Sequence, residues 1–152
     1  MKKIPWPLEQ LLPHSRSMLL LDEALDGGDD WAVAGVRIAE DSVFYDPQLR
    51  GVPSWIGLEY MAQTVALFSG IQARRANQPV KLGLLLGTRR YEAISDVFAL
   101  GSYLTVRVDR EWDDGQMAVF GCTVSRQAQL ASARINVYLP DDLEAFLEGG
   151  AP

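Results

Sequence analysis

Val52-Pro53-Ser54-Trp55-Ile56-Gly57-Leu58-Glu59-Tyr60-Met61-Ala62-Gln63-Thr64-Val65-Ala66-Leu67-Phe68-Ser69-Gly70-Ile71-Gln72-Ala73-Arg74-Arg75 is the stretch that decides the fold. After Pro53 it contains no proline, and residues 55–75 are long enough for about five or six helical turns. Leu58, Met61, Ala62, Val65, Ala66 and Phe68 leave few polar positions, so the reading is a buried central helix rather than a surface one. Arg74 and Arg75 fall in the last turn, where positive charge complements the helix dipole.

Outward from this helix the pattern changes from a period of 3.6 to a period of 2. On the N-terminal side, residues 41–53 are loop-like, punctuated by Pro47, Gly51 and Pro53. Ala32, Ala34, Val36 and Ile38 alternate with Val33, Gly35 and Arg37 as in a half-covered strand. Residues 18–25 read as an apolar strand closed by a turn at Asp26-Gly27-Gly28-Asp29-Asp30. Residues 5–12 suit a short helix that Pro13 ends.

On the C-terminal side, Leu82 to Leu86 is a continuous apolar run that residues 89–94 extend. Leu104, Val106 and Val108 share one strand face, and Asp113-Asp114-Gly115 supplies a hairpin turn. Ala118, Phe120, Cys122 and Val124 share another face, as do Ala133, Ile135, Val137 and Leu139. Pro140 stops the last strand, and Asp141-Asp142 begins a short helix ending near Gly149. Strands joined by turns this short must be antiparallel. The expected architecture is therefore α+β: one antiparallel sheet wrapped around one long helix, the outline of a hot-dog fold.

The 152 residues carry 14 Lys+Arg against 20 Asp+Glu, a formal charge of −6, with 48% hydrophobic and 22% charged residues. Such values suit one globular domain over residues 1–152, with no linker, repeat or low-complexity block. Net acidity argues against broad contact with nucleic acid. Ser54, Glu59, Gln63 and Thr64 interrupt the apolar stretch enough to argue against membrane insertion. No signal peptide is visible after Lys2-Lys3, and Cys122 alone cannot form an intramolecular disulfide, so the expected compartment is the cytoplasm. No His, Cys and carboxylate cluster has metal-ligand spacing, and no Gly-x-Gly-x-x-Gly follows a strand, so neither a metal nor an organic cofactor is expected.

Glu59 is the only Asp or Glu between Pro47 and Tyr91, and it lies in the most apolar helix. An apolar setting favours the protonated form of a carboxyl, which makes a competent general acid. The alternative is a structural Glu bonded to backbone or to Gln63, one turn later. His14 is the only imidazole, and any mechanism needing a nitrogen base near neutral pH must use it; otherwise it is a surface loop residue. The Ser54 N–H at the helix start can polarise a carbonyl oxygen, or the serine side chain can cap the helix. Ser15, Ser17 and Ser54 lack a nucleophile-elbow context. From Tyr60 through Tyr91 there is no acidic residue, whereas Arg74, Arg75, Lys81, Arg89 and Arg90 all occur there. This local excess of positive charge is either a docking patch for an anionic partner or a solvated basic edge.

Leu11-Leu12-Pro13-His14-Ser15-Arg16-Ser17-Met18-Leu19-Leu20-Leu21-Asp22 resembles the N-terminal signature of bacterial 3-hydroxyacyl-ACP dehydratases (ACP, acyl carrier protein). The stretch from Val52 to Gln63 is similar to the start of their central helix. The form Pro-Ser-Trp-Ile-Gly-Leu-Glu-Tyr-Met-Ala-Gln, with the later Leu-Leu-Gly-Thr-Arg-Arg-Tyr-Glu, looks closest to the dehydratase-like subgroup of aryl polyene biosynthesis. The resemblance implies conversion of a 3-hydroxyacyl-ACP to trans-2-enoyl-ACP without a cofactor. In that scheme His14 is the base, Glu59 the acid and the Ser54 N–H the donor to the thioester oxygen. Trp55 and Gln63 join Ser54 as substrate-binding candidates, and the Arg74 to Arg90 patch receives acyl carrier protein. It also implies a homodimer, or a heteromer with another hot-dog protein. One departure stands out: the family's Gly-His-Phe-Pro-Gly motif, whose His is the catalytic base, is matched by residues 43–51, which contain no His, so either His14 takes that role or the chain is an inactive or differently acting relative. A hot-dog thioesterase and a catalytically silent partner subunit are the competing readings.

Overall fold

The computed structural model describes residues 4–12, 19–79 and 84–138. Its elements are α1 (Leu8–Leu11), β1 (Glu23–Gly27), β2 (Trp31–Arg37), β3 (Gly51–Pro53), a 3-10 turn (Ser54–Ile56), α2 (Gly57–Arg75), β4 (Leu84–Ala93), β5 (Val97–Ala99), β6 (Tyr103–Asp113), β7 (Met117–Arg126) and β8 (Ala128–Tyr138). Six strands form one antiparallel sheet in the order β1-β2-β6-β7-β8-β4, and β3 pairs with β5 in a separate two-stranded ladder. The expected α+β architecture is present.

Alternation decides which face of the sheet is the core. Ala32, Ala34 and Val36 of β2, Leu104, Val106 and Val108 of β6, Ala118, Phe120, Cys122 and Val124 of β7, and Ala131, Ala133, Ile135 and Val137 of β8 are buried. Tyr60, Met61, Val65, Leu67, Phe68 and Ile71 of α2 are buried with them, and Phe68 meets Phe120 edge to face at 5.4 Å. At the expected Asp113-Asp114-Gly115 turn, Gly115 takes φ +95 and Asp114 N–H donates to the Met117 carbonyl.

Three expectations are corrected. Among the described residues of the expected 18–25 strand, the strand begins only at Glu23 and runs to Gly27; before it, Leu20 gives its N–H to the Gln63 side chain rather than to a neighbouring strand. The 41–53 stretch is not all loop: Gly51–Pro53 pairs with Val97–Ala99. The helix is not enclosed all round. One sheet covers one side, and Leu58, Glu59, Ala62, Ala66 and Ser69 form a stripe that this chain leaves partly or fully open. The helix after Pro140, Leu139 and the 82–83 part of the apolar run lie outside the described residues.

Cys122 is 2% exposed, and burial pushes its thiol up to about 12, with Asp109 and Glu111 adding to the effect. The thiolate is the reactive form. The native chain is therefore expected to resist iodoacetamide at mildly alkaline pH, whereas the chain in denaturant takes one equivalent. Rapid labelling of the native chain would show that the β7 face is open.

Candidate active site at the start of the central helix

Pro53 ends β3, and its pairing with Val97 carries one step further: Ser54 N–H donates to the Asp96 carbonyl at 2.8 Å. This N–H is therefore already engaged, contrary to the expectation that it faces a substrate carbonyl. Ser54 does not cap the helix either, since Pro53 precedes the 3-10 turn and no side-chain cap forms. The Ser54 carbonyl accepts twice, from the Gly57 N–H and from the Tyr91 hydroxyl. The next donor along the chain, the Trp55 N–H, has no acceptor among the described residues.

Glu59 follows in the first turn of α2 and is exposed on this chain, so the expected apolar enclosure is not supplied by the chain's own sheet. Its Oε1 accepts from Gln63 Nε2 at 3.3 Å. Gln63 is 1% exposed, and its Oε1 accepts from Leu20 N–H at 2.8 Å. One buried amide thus links the carboxylate to the chain entering β1. The neighbouring surface is apolar: Trp55 is 66% exposed, with Phe44 6.3 Å from its ring and Val43 and Leu49 also exposed. Beside it, a cavity of about 300 Å³ is lined by Leu19, Leu20, Val36, Val43 and Tyr60, with Asp22, Arg37, Asp41 and Ser42 as polar groups.

Ser54, Trp55, Glu59 and Gln63 therefore meet at one end of α2. Arg74 and Arg75 lie at the other end, about 22 Å away by the helical rise. Arg74 donates through two nitrogens to the Gln10 carbonyl, and Arg75 donates to the carbonyls of Gly27 and Gly28. They fasten α1 and the β1–β2 turn to the helix end. Arg90 is exposed on β4; His14 and Lys81 lie outside the described residues, as does the Arg89 side chain. Sequence reasoning missed Tyr91 and Asp96, which shape the helix start through contacts 37 or more residues apart in the chain.

The ApeP-like family model, described as ApeP dehydratase, matches residues 6–148. The chain belongs to the ApeP-like dehydratase family. The dehydratase heterocomplex ApeI:P from Xenorhabdus doucetiae is similar at 26% identity, with 95% of this chain and 98% of that chain covered and a TM-score of 0.86. Two more distant structures share the fold. A hypothetical thioesterase with coenzyme A from Streptococcus pneumoniae is 11% identical, covering 78% and 84% of the chains at a TM-score of 0.63. The E. coli PaaI protein from the phenylacetic acid degradation operon is 12% identical, covering 76% and 81% at 0.61. No curated protein matches the chain. The fold of this ApeP-like chain is the hot-dog fold. Among the described residues no cluster of three His, Cys, Asp or Glu is placed to hold a metal, and no helix is long and apolar enough to cross a membrane.

Proposed function

We propose that this chain eliminates water from a 3-hydroxyacyl thioester carried on acyl carrier protein, giving the trans-2-enoyl product, within biosynthesis of the aryl polyene type. His14 removes the proton at C2, Glu59 gives its proton to the departing 3-hydroxyl as the C3–O bond breaks, and the thioester oxygen is held by the Trp55 N–H. The observation that carries this reading is the Gln63 bridge. It ties Glu59 to Leu20, at the end of the segment in which His14 lies. Membership of a dehydratase family supports the reaction class.

The open stripe of α2 around Glu59 calls for a second hot-dog subunit to exclude water from the acid. That subunit is a second copy of this chain or, as in the Xenorhabdus heterocomplex, a different dehydratase protein. A second reading, in which this chain is a silent partner, is favoured by the missing motif histidine. Residues 43–51 hold an apolar ring, Phe44, against Trp55 and offer no imidazole. The lone Cys122 suits a cytoplasmic setting.

The test is enoyl formation from carrier-bound 3-hydroxyacyl substrate, by the chain alone and with a second hot-dog subunit. Product formation that depends on Glu59 supports the proposal. Free thiol without enoyl product selects a thioesterase, for which the coenzyme A-bound thioesterase neighbour is the precedent. Activity that appears only in the heteromer, unaffected by changes at Glu59, selects the silent partner.

For docking, the retained patch is Lys81, Arg89 and Arg90, whose charge suits an acidic carrier. Arg89→Glu with Arg90→Glu is expected to weaken carrier binding about tenfold while leaving turnover of a small thioester analogue unchanged. Equal losses on both substrates would remove the patch from the carrier's path.

A further inference from the structure

Tyr91 lies in a β-bulge. Arg89 is opposite Arg134 and Glu92 opposite Ser132, so Arg90 and Tyr91 together face the single residue Ala133. Arg90 takes φ +55, a left-handed conformation that a non-glycine residue adopts at some cost. Bulges of this kind re-aim a side chain. Here the bulged residue's hydroxyl reaches the Ser54 carbonyl, 37 residues earlier in the chain. Space for it is made by Gly57, where a Cβ would collide with the Tyr91 oxygen and lie 3.0 Å from the Phe98 ring. Burial pushes the Tyr91 phenol up to about 12, so the hydroxyl keeps its proton and stays a donor at neutral pH.

The Ser54 carbonyl and the Trp55 N–H are the two ends of one planar trans peptide group. With Gly57 N–H and Tyr91 both donating to its oxygen, that carbonyl is fixed in direction, and the N–H must point the opposite way. Donation to an amide oxygen also draws electron density toward it, and the N–H becomes a stronger donor.

We propose that the Tyr91 hydroxyl is a positioning group that aims and strengthens the Trp55 N–H as the hydrogen-bond donor to the substrate's thioester oxygen. The role rests on the dehydratase reading for its substrate, but it concerns how the carbonyl is polarised rather than which groups move protons.

The test is infrared difference spectroscopy of crotonyl-pantetheine, labelled with carbon-13 at its thioester carbonyl, bound to the full chain in its purified assembly. The bound carbonyl band is expected below its frequency in water, and Tyr91→Phe is expected to return part of that shift. 3-Fluorotyrosine at position 91, a stronger donor, should deepen the shift at mildly acidic pH, and carries the test if Tyr91→Phe does not fold. Because the donor is weakened rather than removed, kcat should fall about tenfold with KM within about twofold. A Tyr91→Phe protein that only melts earlier, with its band unmoved, overturns the proposal, as does an unshifted band in the wild type. A shifted, Tyr91-dependent band without enoyl product keeps this role and removes the dehydratase reading. Enoyl formation with a band indifferent to Tyr91 does the reverse.

Discussion

Glu59→Gln is expected to lower the rate of water elimination about a thousandfold, the range for loss of a positioned general acid. The amide is close to isosteric and still accepts from Gln63 Nε2, so the bridge to Leu20 survives. What disappears is the proton for the departing hydroxyl. Substrate affinity should stay within about threefold, because the missing interaction belongs to the transition state. His14→Ala should cost a similar factor. The double variant should be little worse than either single one, since an acid and a base that act in one step are not additive. Full activity of folded Glu59→Gln protein would remove Glu59 from the role of proton donor.

Gly70→Val is expected to lower stability by about 3 kcal/mol, at the upper end for overpacking a core position. A Cβ at Gly70 would collide with the Leu11 carbonyl oxygen and lie 2.9 Å from its carbon, and both atoms are main chain, which cannot swing aside as a flexible side chain would. The same contact seats α1 on α2, reinforced by Arg74 on the Gln10 carbonyl. His14 is three residues beyond Leu11. Displacing α1 should therefore reduce elimination as well as the melting temperature, by about 10 °C for a chain of this size. Unchanged melting would mean that the α1–α2 contact does not hold in solution.

Much of the architecture is written in local pattern. The proline-free run after Pro53 is too long for an ordinary strand and reads as a long helix. The alternation of Leu104, Val106 and Val108 and of Ala118, Phe120, Cys122 and Val124 can only be strands sharing a core face. The candidate site was legible in part: Glu59 stands out because charge is costly in apolar company, and Gln63 because it lies one turn away. Burial of Glu59 was misjudged because hydropathy along a helix does not say which side its own sheet covers. The β3–β5 ladder escaped notice because each strand is three residues long, below the length at which alternation can be seen.

Sequence alone thus determined the long helix, the longer strands, their antiparallel pairing, the family and a carboxyl group, Glu59, at the helix start, since each follows from neighbours along the chain or from a motif. Only the tertiary structure decided which N–H groups at that helix start are already bonded, that Arg74 and Arg75 are fasteners at the far end, and that Tyr91 meets Ser54. Those outcomes depend on a bulge, a short ladder and the direction of a peptide plane. Such features bring distant residues within 3 Å of one another and leave no periodic trace in the sequence.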